Sequence, residues 1–453
     1  MEGLAASGSL GSFAALGVSP YFIETLAGRG ISSPTLVQAL VSPRLLAGES
    51  LFFSSATGTG KTFAYLIPIF QRLLAPAASA SVPVPARRAA GGPRALIAAP
   101  TYELCSQIKA EADFLLQGAA ASPGGVPHGD ASPGNTPPLP GRLKAALLIG
   151  GGNTARQIDG LRKEKPDILI GNPGRLLQIA RLGKLRLGML EYLVLDEGDR
   201  LVSPELAEET GQLLRLIRES RPGGEEKRLL VTACSATLSV KTRGKLLSLL
   251  DTEKTPGLLD GLSGNLPGGS PSGFPFIEAQ DRSVLGERIQ HWAIFSEKRK
   301  KIDTLRSFLA AAKPRKALVF IGGAGEPGNI LSRLQYRHIA ASALFGGMDK
   351  NSRKQALDDF RKSRVTVLVS SDLAARGLDI AGISHIIAMD VPQNGDAYIH
   401  RAGRTGRMGK AGIMLTIGDA GEMRQLAKLE KKLGIIIYPK ELRGGKVAAI
   451  TEE

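Results

Sequence analysis

The sequence predicts an α/β protein of two domains, each built on a parallel sheet. Three observations predict it. Residues Ser54 to Thr62 read S-S-A-T-G-T-G-K-T, between a short apolar run, Leu51 to Phe53, and an amphipathic stretch, Phe63 to Leu74. Farther along, apolar runs repeatedly end in a Gly or Pro turn before a helical pattern, which describes parallel strands with their loops on one edge. The chain has 453 residues, too many for one ordinary domain, and a Gly/Pro/Ser-rich stretch from Thr255 to Pro275 offers a flexible connection.

The glycine loop carries the most chemistry. Strand, glycine turn and helix follow in the order a phosphate-cradling loop requires. Gly58 and Gly60 let the backbone of Thr57, Thr59 and their neighbours curl, so that successive N–H groups point at one anion. The helix that follows adds its positive N-terminal end. Lys61 can reach the β- and γ-phosphates, and the Thr62 hydroxyl can hold Mg²⁺. The loop predicts binding of a nucleoside triphosphate.

Composition sets the bounds. Hydrophobic residues make up 43% of the chain, enough for sizeable cores, and the longest apolar runs fall short of a bilayer span. Fifty-eight Lys and Arg against 42 Asp and Glu leave a net charge of +16 and a pI near 9.9, which suits a polyanionic partner and equally suits solubility. The two cysteines, Cys105 and Cys234, have no metal-ligand spacing, so a reducing compartment without structural disulfides is expected. The first dozen residues carry Glu2 and no Lys or Arg, unlike a transit or signal peptide.

In chain order, Gly30 to Gln38 reads G-I-S-S-P-T-L-V-Q. Gln38 offers the paired donor and acceptor that the adenine N6/N7 edge needs, and Phe13 upstream could stack on the base. Such a segment can equally be a plain helix start; its place just ahead of the phosphate loop favours the base-reading role. Residues 75–92 read as a solvated loop, and Gly118 to Gly141 as a Pro/Gly/Ser-rich disordered one. Strand-like runs at Arg94–Ala99, Lys144–Ile149 and Asp167–Ile170 lead into Pro100-Thr101, Gly150-Gly151-Gly152 and Gly171-Asn172-Pro173-Gly174-Arg175. Tyr192 to Leu195 delivers Asp196-Glu197-Gly198-Asp199 to the same edge. There Asp196 can bind Mg²⁺ through water, and Glu197 can orient and deprotonate the attacking water. Leu229 to Ala233 is the next strand, closed by Ser235-Ala236-Thr237.

In this order the motifs resemble those of the DEAD-box RNA helicases: the glutamine segment, A-T-G-T-G-K-T, P-T-x-E-L, G-G, x-P-G-R, D-E-x-D and S-A-T. The second half is similar as well. Ala317 to Ile321 resembles the family's first strand of domain two, and Phe345-Gly346-Gly347-Met348 with Arg353 resembles its H-G-x-M…R segment. Ser370-Ser371-Asp372 with Ala375-Arg376-Gly377-Leu378-Asp379 matches its motif V. Tyr398 to Arg407, Y-I-H-R-A-G-R-T-G-R, matches its arginine-finger motif. The resemblance runs from Phe13 to about Lys440. Within the family, G-G-G-N-x-x-R-Q, a non-alanine third residue in the acidic motif and the long insert after Thr237 resemble the plant organellar branch.

The resemblance implies two RecA-like domains, each a parallel sheet with helices on both faces, joined by a flexible linker. Domain one is expected over 1–250, the linker over 251–287, domain two over 288–440 and a polar tail over 441–453. ATP and Mg²⁺ are the implied ligands. Arg404 and Arg407 would stabilise charge on the γ-phosphate, and Gly377 and Asp379 would contribute to the nucleotide site. Asp199, Ser235, Thr237 and His400 would couple the domains. RNA would be held through its backbone by Pro100, Thr101, Gly151, Gly152, Pro173, Gly174, Arg175, Gly346, Arg353 and Ser371, without sequence preference. The implied activity is ATP-dependent, non-processive unwinding of short RNA duplexes or remodelling of ribonucleoprotein, by a monomer that has no membrane partner. Ribonucleoprotein or ribosome-assembly factors are further expected partners, and an organelle is the expected location, with the nucleus or cytoplasm as the alternative. An ATP-gated RNA clamp is the alternative. A DNA-directed helicase is disfavoured by the glutamine segment. The sequence departs from the family pattern at Ser55, Tyr102, Asn172, Gly198, Phe345, Lys350 and Ser371.

Overall fold

The computed structural model describes residues 11–56, 58–75, 92–118, 143–221, 229–250, 274–279, 288–322, 327–345, 348–372, 380, 382–392, 394–406 and 411–450. Thr57, Gly346, Gly377, Asp379 and Arg407 lie outside these residues, as does nearly all of the loops expected at 75–92 and 118–141. The chain divides into two compact units, the first comprising residues 1–55 and 59–280 and the second residues 56–58 and 281–453.

In the first unit, seven strands form one sheet. They are β1 (Leu51–Ser54), β2 (Ala95–Ala98), β3 (Ala145–Leu148), β4 (Ile168–Gly171), β5 (Tyr192–Asp196), β6 (Leu230–Ser235) and β7 (Phe276–Glu278). Their order is β3-β4-β2-β5-β6-β1-β7, and every pairing is parallel. The central strands read L-F-F-S, A-L-I-A and I-L-I-G and are buried throughout, because helices cover both faces. Successive side chains therefore enter different cores. Phe53, Ile97, Ile170 and Val194 pack with the helices Leu36–Leu46, Lys61–Leu74 and Tyr102–Gln117. Phe52, Leu96, Leu169 and Leu193 pack with Pro173–Arg181, Ala207–Glu219 and Val240–Leu250.

The second unit repeats this plan. Its strands are β8 (Ile289–Phe295), β9 (Ala317–Ile321), β10 (Ala341–Leu344), β11 (Val367–Ser371), β12 (His385–Ala388), β13 (Gly412–Gly418), β14 (Ile437–Arg443) and β15 (Lys446–Ala449). The order is β10-β11-β9-β12-β13-β8-β14-β15, parallel up to β14 and antiparallel between β14 and β15. Val319, Val369 and Ile387 pack with the helices Lys301–Ala312 and Pro327–Gln335. Leu318, Leu368 and Ile386 pack with Lys350–Arg361, Gly395–Ala402 and Ala420–Leu433.

Two boundary expectations need correction. The expected linker contains β7, which extends the first sheet beyond β1. The Phe52 N–H donates to the Pro275 carbonyl at 2.9 Å, the Ala279 N–H to the Ser54 carbonyl at 2.8 Å, and the Phe274 and Phe52 rings meet at 4.3 Å between centroids. The expected tail contains the end of β14 and all of β15. Pro439 and the charged residues of β14 hide a strand that is ordered by pairing to β8 on one side and β15 on the other.

Candidate nucleotide and nucleic-acid site

The phosphate loop leaves β1 with positive φ at Gly58 (81°) and Gly60 (93°), a region open to glycine at no steric cost. At Gly60 space is limiting as well: a Cβ there would lie 2.5 Å from Gln38 Nε2. Gln38 is buried and clamps two segments. Its Oε1 accepts from the Thr35 N–H at 3.0 Å, closing the cap of its own helix, and its Nε2 donates to the Gly60 carbonyl at 3.2 Å. The glutamine expected to read the base is thus tied to the phosphate loop. Lys61 Nζ donates to the Ser55 carbonyl at 2.7 Å, and the Ser55 and Thr59 hydroxyls share a hydrogen bond of 2.7 Å.

Phe13 needs correction as a stacking platform. It is 3% exposed and packs in the core with Val18 and Phe22, so its ring has no open face for a base.

Asp196 ends β5 and is 3% exposed. Its Oδ2 accepts from the Tyr65 hydroxyl at 2.8 Å. Its Oδ1 accepts from the Glu197 N–H at 2.8 Å and from Cys234 Sγ at 3.2 Å. Tyr65 thus ties the helix that follows the phosphate loop to the end of β5. Burial, and then the Asp196 carboxylate, hold the Tyr65 phenol well above its ordinary pKa, and the same two causes raise Cys234. Hard oxygen donors, one hydroxyl and one carboxylate, fit a cation carried mainly by phosphate and water.

Glu197 stands in left-handed backbone, φ 51° and ψ 51°, ahead of the short helix Gly198–Leu201. A non-glycine residue there is strained by roughly 1–3 kcal/mol, a cost met most often at functional positions. A Cβ on Gly198 would meet Leu246 Cδ1 at 3.3 Å, a tight contact to which the leucine would have to give. Asp199 Oδ1 accepts from the Ser235 hydroxyl at 2.6 Å, and Ser235 Oγ accepts from the Thr237 N–H at 3.4 Å. Thr237 Oγ1 is buried without a hydrogen-bond partner.

Strand order sorts the remaining residues. Pro100 and Thr101 follow β2, Gly151 and Gly152 follow β3, and Pro173 to Arg175 follow β4. These loops share one end of the sheet, beside the Asp196, Ser235 and phosphate-loop positions on β5, β6 and β1. Thr101 caps the helix Tyr102–Gln117 by accepting from the Leu104 N–H at 3.3 Å, and Tyr102 is 49% exposed beside it. Arg175 was expected at RNA but is 7% exposed. It donates to the Gly152 carbonyl at 2.9 Å and to the Thr154 hydroxyl, and so fixes the glycine loop rather than offering a free cation. Asn172 Oδ1 accepts from the Gly150 N–H at 3.1 Å, tying the same two loops.

In the second unit, Ser371 ends β11, Arg353 lies on Lys350–Arg361, and His400 lies half-buried on Gly395–Ala402. Arg404 is 7% exposed just beyond that helix. Sequence reasoning missed the hub here, which is Arg401. Its Nε and Nη2 donate to the two Asp372 oxygens at 2.7 and 2.6 Å. Nη1 reaches the Asp390 carbonyl at 3.0 Å, and Nη2 also reaches Asp390 Oδ2 at 3.1 Å. Burial alone would lower its pKa, but Asp372 and Asp390 outweigh it and hold the guanidinium above its ordinary value. An aspartate ending an apolar strand at Ser370-Ser371-Asp372 was the available signal.

A family model described as DEAD/DEAH box helicase matches residues 35–246, and one described as helicase conserved C-terminal domain matches residues 300–409. The chain is 27% identical to the DEAD-box ATP-dependent RNA helicase CshC of Bacillus cereus, over 94% of this chain and 93% of the relative. It is 29% identical to the probable ATP-dependent RNA helicase YfmL of Bacillus subtilis, over 92% and 93%. Among solved structures, S. cerevisiae Dbp5 bound to RNA and ADP BeF3 superposes with a TM-score of 0.71 at 20% identity, covering 94% of this chain and 95% of that one. Mss116p bound to ssRNA and AMP-PNP gives 0.74 at 22% identity, covering 97% and 81%. These two likenesses show the fold, two RecA-like domains with sheets that are parallel for the most part. The matching family models, the relatives of nearly the same length and the ordered motifs agree, and the chain belongs to the DEAD-box RNA helicase family.

Proposed function

We propose that the chain hydrolyses ATP to open short RNA duplexes or remodel ribonucleoprotein, without reading base sequence and without processive translocation. One observation carries the reading. The nucleotide positions on β5, β6 and β1 and the RNA-facing loops on β3, β4 and β2 occupy neighbouring halves of one sheet end, so nucleotide state and RNA grip share a scaffold. Gln38 selects adenine while holding Gly60, and Lys61 binds the β- and γ-phosphates. Thr62 and Asp196 would hold Mg²⁺, which would supply neutralisation of the phosphate charge. Glu197 takes the proton of the attacking water, and Arg404 and Arg407 supply cations to the γ-phosphate. The loops beginning at Pro100, Gly151 and Pro173 hold the RNA backbone, with Arg175 as their brace. The relatives are described as helicases, which favours unwinding over the clamp. A monomer, and service to ribonucleoprotein or ribosome assembly, complete the proposal.

An organellar location rests on the family resemblance alone. The curated relatives named above are bacterial and lend no support to the plant organellar branch. No helix among the described residues is long and apolar enough to cross a membrane.

Strand displacement tests the proposal. A short RNA duplex with a single-stranded RNA overhang should open with ATP, poorly with GTP, and not at all with Lys61→Ala. Displacement without ATP, or equal displacement from a DNA loading strand, would refute it.

A further inference from the structure

Asp196 is a carboxylate almost wholly enclosed by protein, and it accepts three hydrogen bonds from the protein side. One donor, the Glu197 N–H, comes with the backbone. The other two are side chains with no solvent exposure, Tyr65 and Cys234, contributed by different elements. Tyr65 lies one helical turn after the phosphate loop, and its hydroxyl meets Asp196 Oδ2. Cys234 is the register partner of Asp196 across the β5–β6 ladder. Its successor, Ser235, holds Asp199 in turn.

An ionised carboxylate offers about four lone-pair sites. Three acceptances on the protein side fix the carboxylate plane and leave the remaining capacity for whatever approaches from the nucleotide side. A carboxylate that contacts a metal through water depends on this kind of outer support, because a hydrated cation binds a fixed acceptor with less ordering loss than a rotating one.

We infer that Tyr65 and Cys234 are positioning residues for magnesium-bound nucleotide: they lock the Asp196 carboxylate in the orientation that receives the hydrated cation. The inference rests on the ATP reading above and adds to it two side chains that touch neither nucleotide nor metal. Tyr65 contributes more than Cys234, because a phenol is a stronger donor than a thiol.

The test uses the full chain and a fluorescent ATP analogue. Its affinity is titrated with MgCl₂ and measured separately in EDTA, with thermal melts alongside, for wild type, Tyr65→Phe, Cys234→Ala and Cys234→Ser. The half-saturating magnesium concentration should rise about tenfold in Tyr65→Phe, at the lower end of outer-shell effects on metal affinity. It should rise less in Cys234→Ala and least in Cys234→Ser, which keeps a donor. Affinity in EDTA should stay at the wild-type value in all three. Variants whose magnesium requirement matches wild type overturn the inference alone, as does an equal loss of affinity with and without magnesium, which would mark a structural role. If Cys234→Ala fails to fold, Tyr65→Phe and Cys234→Ser decide the matter by the same criteria. A wild type that binds no nucleotide in magnesium overturns the ATP reading and this inference together.

Discussion

Glu197 occupies left-handed backbone beside a buried aspartate whose oxygens are already claimed by Tyr65, Cys234 and the Glu197 N–H itself. The strand end therefore separates two carboxylates by role. Asp196 is fixed inside the protein, and Glu197 is held at the turn that follows. Glu197→Gln keeps shape and backbone but removes the proton acceptor. Its turnover should fall roughly 10²–10⁴-fold while ATP affinity stays within about threefold of wild type. Single-turnover hydrolysis beside equilibrium ATP binding checks this, and turnover at the wild-type rate would remove Glu197 from the role of base. In the second unit, Arg401 is a buried cation shared by Asp372 and Asp390. Arg401→Ala would leave two carboxylates without their cation, and it should lower stability by about 3–5 kcal/mol. Arg401→Lys should recover only part, since an ammonium cannot form the paired bonds to Asp372. Urea titration of the three proteins decides it. Equal midpoints would show that the hub carries no stability.

At the scale of elements, the strands that end in chemistry were the readable ones. Ala95–Ala98, Ile168–Gly171 and Tyr192–Asp196 are apolar runs stopped by Pro, Gly or acid, because a strand buried on both faces has no polar positions and its C-terminal turn needs special residues. β7 was not readable. Three residues behind a Gly/Pro-rich stretch carry no periodicity, and only the backbone of β1 and the ring of Phe52 make them a strand. β14 was hidden likewise: its sequence I-Y-P-K-E-L-R carries a proline and three charged residues, and pairing to β8 and β15 makes it a strand. Site residues divided in the same way. Local spacing picks out candidates such as Lys61, Asp196 and Glu197. It does not pick out Tyr65, Cys234 and Arg401, because their partners lie 131, 38 and 29 positions away. Phe274→Ala distinguishes a strand anchor from a linker residue. As an anchor against Phe52, its loss should cost about 3 kcal/mol, the lower end for a buried phenylalanine, and lower the melting temperature of the first unit. An unchanged melting curve would return the segment to the linker.

For the whole molecule, the account rests on one sheet carrying two kinds of loop. The proposed nucleotide positions follow β1, β5 and β6, the loops proposed for RNA follow β2, β3 and β4, and Arg175 and Asn172 brace the latter from within. The excess of 16 positive charges adds a sequence-independent attraction to any polyanion, so RNA affinity alone discriminates poorly between a helicase and a merely basic protein. Coupling discriminates, because a ligand raises turnover only if it favours the state that hydrolyses. The most direct measurement is steady-state ATP hydrolysis titrated with single-stranded RNA at fixed magnesium and salt, for wild type and Lys61→Ala. Wild-type turnover should rise to a plateau with RNA, while Lys61→Ala stays at background throughout. Wild-type turnover that is indifferent to RNA, or absent at saturating RNA, would contradict the claim that this chain is an RNA-driven ATPase.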